Sequence, residues 1–212
     1  NCLKMFIKLK RSGQVFQYGD EVISYVARNL EPYRGFHSFM RMLPYLQSKR
    51  PNCHAIIVGG DNVSYGKPPS SEATWRELLL DELRGELDLS RIHFVGRVSR
   101  DSLTNLFQVS ACHVYLTYPF VLSWSLLEAM SCQSPIVASN TAPVKEFLEN
   151  NKNSHLVDFF NYKQISDAIC ESLTNKKLSK IQGVLARKRI KDSCDLKKIC
   201  LPSQFKLIEE IT

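Results

Sequence analysis

Residues 91–140 read "RIHFVGRVSRDSLTNLFQVSACHVYLTYPFVLSWSLLEAMSCQSPIVASN", and their pattern decides the fold. Three short apolar or β-branched runs stand out: "RIHFVG" (91–96), "CHVYLTY" (112–118) and "SPIVASN" (134–140). Between them, over 99–108 and 124–132, apolar residues recur at helical spacing. No hairpin turn joins the runs. Strands that succeed one another through helices must be parallel neighbours, with the helices as crossovers.

The alternation extends outward in both directions. "EVISYVA" (21–27) and "HAIIVGG" (54–60) precede it, and a weaker "SHLVDF" (154–159) comes after. Further helical stretches fall near 35–48, 74–84, 142–150 and 162–174. The sequence therefore predicts an α/β fold over 21–175: a Rossmann-like, doubly wound parallel sheet of about six strands with helices on both faces. Residues 1–20 read as an edge hairpin or a connector, with "RSGQ" as its turn, and 176–212 as basic helices packed outside the sheet. The connection "GGDNVSYGKPPSSEA" (59–73) is long and leaves the carboxyl end of a strand, where open α/β sheets bind ligands.

Composition excludes several classes. The 212 residues are 44% hydrophobic and 23% charged, as in ordinary globular chains, and no run approaches the ~20 apolar residues of a membrane span. The start of the chain has no apolar core of a signal peptide. Seven cysteines without a CxxC pair, several inside apolar runs, suggest reduced and mostly buried thiols in a cytoplasmic protein. The five histidines show no metal spacing, and those at 54, 93 and 113 read as core imidazoles. Residues 175–198 hold nine Lys/Arg against two Asp, which equals the whole net charge of +7. Two readings of that segment stand: a solvated helix face, or peripheral contact with an anionic membrane at its inner face. Nucleic acid is not expected, because the segment has no aromatic residue.

Two places on the strand ends can carry chemistry. In "YVARNLEPYRGFHSF", Arg28 and Arg34 flank a turn before Gly35 opens a helix. Two guanidiniums and a helix N-terminus suit a diphosphate; the alternative pairs Arg28 with Glu31 and leaves Arg34 in solvent. In "PFVLSWSLLEAM" (119–130), Ser125 and Glu128 have capping-box spacing, which gives Glu128 a purely structural role. The other reading places Glu128 in the first turn, accepting hydrogen bonds from ribose hydroxyls. Ser123 has no identifiable His/Asp partners, and Trp75 and Trp124 read as packing residues. GxGxxG, DxD and GxSxG are all absent.

With "VARNLEPYRGFHSFMRMLP", "IIVGGDNVSYG", residues 92–148 and "SHLVDFF" in hand, the chain from about 20 to 202 resembles the C-terminal, donor-binding half of a retaining GT-B glycosyltransferase of family 4, the glycosyl transferases group 1. The resemblance implies a nucleoside-diphosphate-sugar donor, a hydroxyl acceptor, a hexosyltransferase reaction of the polysaccharide-building type, and no cofactor or metal. It also implies an N-terminal acceptor domain outside this chain, without which the fragment turns over little. It assigns Arg28 and Arg34 as catalytic, holding the donor diphosphate, and the turn at Leu122, Ser123, Trp124 and Ser125 as a source of N–H groups for the same phosphates. Glu128 matches the second Glu of the family's E-x7-E pattern and is implied on the ribose; Gly96, Arg97 and Val98 flank the base. Three departures count against full transfer: Phe120 stands where the first Glu belongs, "FVLS" replaces the glycine-rich turn, and Arg34 replaces the usual Lys. Phe120 favours one alternative, a non-catalytic nucleotide-binding or assembly module; a second, to which "LLEAM" through "EFL" is the poorer match, is a nucleotide-sugar epimerase of the same architecture.

Overall fold

A computed structural model of the chain describes residues 6–9, 12–70 and 73–211. Strand β1 (Phe6–Lys8) pairs antiparallel with β2 (Val15–Gln17) in a two-stranded sheet of their own. The first residue of the expected "RSGQ" turn, Arg11, lies outside the described residues, as do Ser71 and Glu72 of the long connection. The main sheet uses β3 (Val22–Asn29), β4 (His54–Gly60), β5 (Ile92–Gly96), β6 (Cys112–Tyr115), β7 (Ile136–Ser139) and β8 (His155–Val157). All six are parallel, in the order β5-β4-β3-β6-β7-β8. The order reverses between β3 and β6, so a crevice opens at their carboxyl ends.

Helices α1 (Phe36–Lys49), α2 (Trp75–Glu82) and α6 (Tyr162–Thr174) cover one face. The other carries α3 (Arg100–Val109), α4 (Trp124–Ser131), the single turn α5 (Ala142–Lys145) and α7 (Lys176–Cys194). Helix α1 shows why the layers hold: Phe36, Phe39, Met40, Leu43 and Leu46 recur at helical spacing and are all buried on β3 and β4. Burial of each such side chain contributes about 1.5–3 kcal/mol, which together offsets much of the chain entropy.

The tail departs from expectation. Helix α7 packs on α4, burying Ala186 there and Gly183 against Gln133 just beyond it, but α8 (Leu201–Ile211) buries no residue. Among the described residues no helix is long and apolar enough to cross a membrane. The thiols also differ from the sequence reading: all six described are free, but only Cys53 and Cys112 are buried.

His113, at the centre of the sheet, makes the fold acid-sensitive. Its Nδ1 meets the Ser24 Oγ at 3.0 Å, while Nε2 is buried with no partner among the described residues. Burial pushes its pKa down to about 3, and burial with the Arg41 charge pushes His37 to about 4. A histidine held neutral in the native state leaves stability intact above its unfolded pKa of ~6.5; as pH falls below that, only the unfolded chain gains the proton, and stability drops by up to ~1.4 kcal/mol per pH unit. Stability, followed by urea midpoints, is therefore expected to fall between pH 6.5 and 5, by about 1–2 kcal/mol from His113 alone. The variant His113→Asn, which keeps a partner for Ser24 but cannot titrate, should show a shallower fall; an equal fall would assign the effect elsewhere.

Candidate functional site

The crevice is built from the connections that leave the strands at their carboxyl ends. After β3, Pro32–Arg34 forms a 3-10 turn, and Gly35, at φ 74°, redirects the chain into α1. A Cβ built on Gly35 would lie 2.3 Å from Leu116 Cβ, so the absent side chain lets this turn sit directly on the end of β6. Tyr118 N–H and Thr117 Oγ1 both donate to the Tyr33 carbonyl, and Tyr25 Oη donates to that of Arg34. These contacts press the arginine turn against the loop that leads to α4.

Arg34 is the hub. Its Nη1 donates to Thr117 Oγ1 at 3.3 Å and to the Val121 carbonyl at 3.0 Å. Its guanidinium carbon lies 5.0 Å from the Tyr65 ring centre and 5.2 Å from that of Phe120, and these two rings meet edge-on. Cation–π attraction of ~0.5–2 kcal/mol favours that seat. The solvent-exposed reading of Arg34 is thus not what the structure has. Arg28 is exposed and makes no hydrogen bond or ion pair among the described residues. It does not pair with Glu31, whose carboxylate is fully buried and accepts the N–H groups of Ser64, Tyr65 and Gly66 at 2.9–3.1 Å.

The turn into α4 corrects two expectations. Its N-cap is Ser123, whose Oγ accepts from Ser125 N–H at 3.3 Å, so the Ser125–Glu128 capping box does not form. Glu128 stands in the second turn of the helix instead of the first, about one-third exposed, with a loose 3.8 Å approach to the exposed Arg100. With no capping duty, it is left as a carboxylate facing the start of α3. The N–H groups of the turn are also partly occupied: Ser123 donates to Tyr115 Oη at 2.9 Å and Ser125 to Ser123 Oγ. Those of Leu122 and Trp124 have no partner among the described residues. Trp124 is 80% exposed, the opposite of a packing residue.

Gly96, Arg97 and Val98 stand at the end of β5. Gly96 closes the strand at φ 66°, and Arg97, itself exposed, donates to Asn29 Oδ1 at 3.3 Å, tying this segment to the end of β3. A cavity of about 800 Å³ lies not over Arg34 but along the sheet-edge strand β5, and Gly96, Arg97 and Val98 are among its lining residues. Guanidinium, unoccupied N–H groups and the switch point coincide at Arg34, whereas the cavity lies along the sheet edge and mixes aliphatic side chains with polar and charged ones, Arg76 and Arg97 among them. Glu31, Asn29, Thr117 and Tyr65 escape sequence reasoning. A glutamate that bonds a loop more than thirty residues ahead leaves no local pattern, and the only signal in the sequence is the loop itself.

The model of the glycosyl transferases group 1 family matches residues 8–189. No curated protein matches the chain. Among solved structures, sucrose-phosphate synthase from Thermosynechococcus elongatus superposes with a TM-score of 0.76 at 19% identity, over 91% of this chain and 46% of that one. HepE from Anabaena in complex with UDP-glucose gives 0.74 at 19% identity, over 90% and 49%. The C-terminal domain of the group 1 glycosyl transferase LpcC from Francisella tularensis gives 0.70 at 16%, over 85% and 89%. The chain thus spans less than half the length of the first two relatives, and at these identities the likeness is one of fold.

Proposed function

Because the chain belongs to the glycosyl transferases group 1, we propose that it is the donor-binding half of a retaining, family-4 enzyme that transfers a hexosyl unit from a nucleoside-diphosphate sugar to a hydroxyl acceptor. One observation carries this reading: Arg34, fixed by Thr117 and Val121, stands at the switch-point crevice beside the start of α4. Departure of the sugar loads negative charge onto the diphosphate. A preoriented guanidinium, the free N–H groups of Leu122 and Trp124, and a further contribution from the exposed Arg28 stabilise that charge without a metal ion. Glu128 accepts the ribose hydroxyls, and the Gly96–Val98 segment borders the base. HepE was crystallised with UDP-glucose, which makes a uridine donor the first to try. The acceptor side of the cleft belongs to the part of the enzyme outside this chain, so the chain alone binds donor but turns it over little.

Calorimetric titration with UDP, GDP and ADP tests the reading, with Glu128→Gln alongside. Since Glu128 caps nothing, the variant is expected to keep its stability to within ~0.5 kcal/mol. Its nucleotide affinity should fall about tenfold, the worth of hydrogen bonds to a charged acceptor. Unchanged affinity removes the ribose role. Failure of all three diphosphates to bind favours the second reading, a non-catalytic assembly module, to which Phe120 in the carboxylate's place already points.

A further inference from the structure

Arg34 owes part of its position to a side chain from outside the two connections that meet at the switch point. A guanidinium on a flexible stem loses conformational freedom when it is held, so something must fix it before an anion arrives. Thr117 and Val121 hold one edge. The flat face is covered by Tyr65 and Phe120. Phe120 is on the loop from β6, but Tyr65 comes from the long connection after β4, which has no regular structure of its own from Asp61 to Ser70. Left to itself such a segment samples many conformations.

What holds it is Glu31. The carboxylate is wholly buried, and its two oxygens accept three consecutive backbone N–H groups, Ser64 at 3.0 Å, Tyr65 at 3.1 Å and Gly66 at 2.9 Å. Such charge-assisted bonds are the strong ones, and a buried carboxylate without them is costly. Asn29 adds a second tie, donating to Ser64 Oγ at 2.7 Å while its Oδ1 accepts from Arg97. Glu31 also lies three residues before Arg34, and its own carbonyl accepts Arg34 N–H at 3.2 Å. One residue thereby fixes both the turn that carries the arginine and the loop that covers it.

We propose that Glu31 and Tyr65 are positioning residues for Arg34: Glu31 latches the 61–70 loop, and Tyr65 is the side chain through which the latch orients the guanidinium toward the donor diphosphate. The last part rests on the proposed function above; the latch itself does not. Two measurements keep them apart. The first needs no ligand: the Arg34 Nε–H resonance and the amide exchange of residues 61–67, monitored by NMR in the whole 212-residue chain. Glu31→Gln, whose amide cannot serve three donors, should speed exchange at 64–66 at least tenfold. Both it and Tyr65→Leu should move the Arg34 signal toward that of a solvated arginine, whereas Tyr65→Phe, which keeps the ring face, should not. Should Glu31→Gln fail to fold, Tyr65→Leu still tests the link, since it leaves the carboxylate's bonds in place. An Arg34 signal unchanged in Tyr65→Leu overturns the proposal.

The second measurement is calorimetry with UDP, GDP and ADP beside their nucleosides. Tyr65→Leu should weaken the diphosphate that binds about fivefold to tenfold, leave its nucleoside unaffected, and add nothing in an Arg34→Ala background. An equal loss for the nucleoside, or full additivity with Arg34→Ala, would make Tyr65 a direct contact and overturn its positioning role. If wild-type chain binds no diphosphate, the donor reading fails, and the NMR result alone upholds or overturns the latch.

Discussion

Arg34→Lys is expected to weaken diphosphate binding about tenfold even though the charge is kept. Nη1 commits its donors to Thr117 Oγ1 and the Val121 carbonyl, and the ring faces of Tyr65 and Phe120 close on the carbon centre. The remaining nitrogens then point along a fixed plane, so two parallel bonds to phosphate oxygens cost little further order. A lysine ammonium is a point charge on a flexible and shorter stem: it lacks the fixed fork that lets one guanidinium meet Val121 and a phosphate together, and it gains less from the two ring faces. Arg34→Ala removes the charge as well. Hydrogen bonds to charged groups contribute ~1.5–3 kcal/mol, so a loss of roughly tenfold to a hundredfold is expected. Arg28→Ala makes the comparison, since Arg28 is exposed and unheld in the structure and must lose its conformational freedom on binding. Calorimetry with UDP, GDP and ADP on the three variants ranks them. Equal binding by Arg34→Lys and wild type would reduce the site to a count of positive charges and make the aromatic contacts irrelevant.

The fold is legible because its signals are strong and local. "HAIIVGG" reads end to end, since every residue from Ala55 to Gly59 is buried between helices on both faces and no alternation blurs the run. "CHVYLTY" reads three residues too long for a related reason: Leu116 and Thr117 are buried like strand residues, yet they have left the ladder to shape the crevice. The false capping box in "SWSLLEAM" shows what pattern alone cannot decide. Ser123 and Ser125 can each cap a helix, and only the tertiary bond from Ser123 N–H to Tyr115 Oη fixes which one does. The helical stretch expected over 142–150 stops at Lys145, and the chain then turns under Asn153, whose side chain bonds Glu149 N–H and the Phe147 carbonyl. Arg34 can be named from its place before a helix, but its partners cannot. Glu31, Tyr65 and Thr117 come from three separate connections, and nothing in their neighbours announces that they converge.

Gly35→Ala is expected to cost the most stability of any single methyl in the crevice. Two independent penalties act there. At φ 74° and ψ 17° the backbone is left-handed, which costs an L-residue ~1–2 kcal/mol. The new Cβ would also lie 2.3 Å from Leu116 Cβ and 3.0 Å from the Leu116 carbonyl oxygen, and the obstacle is main chain at the end of a central strand. Relief requires the arginine turn to back away from β6, which strains the bonds of Tyr33 and Arg34 to Thr117; overpacking of this kind costs ~1–3 kcal/mol. Together about 2–5 kcal/mol is expected, a large share of a stability of ~5–15 kcal/mol. Gly85→Ala separates the two penalties. Gly85 has φ 84°, but a Cβ there meets nothing within 4 Å, so only the backbone cost of ~1–2 kcal/mol should register in urea midpoints. Equal losses at the two positions would mean that β6 yields to the added methyl, and the tight seat of the turn would no longer account for where Arg34 stands. If Gly35→Ala loses the larger amount and its residual folded fraction also binds diphosphate poorly, then the close approach of the two chains at Leu116 is what delivers the guanidinium to the crevice.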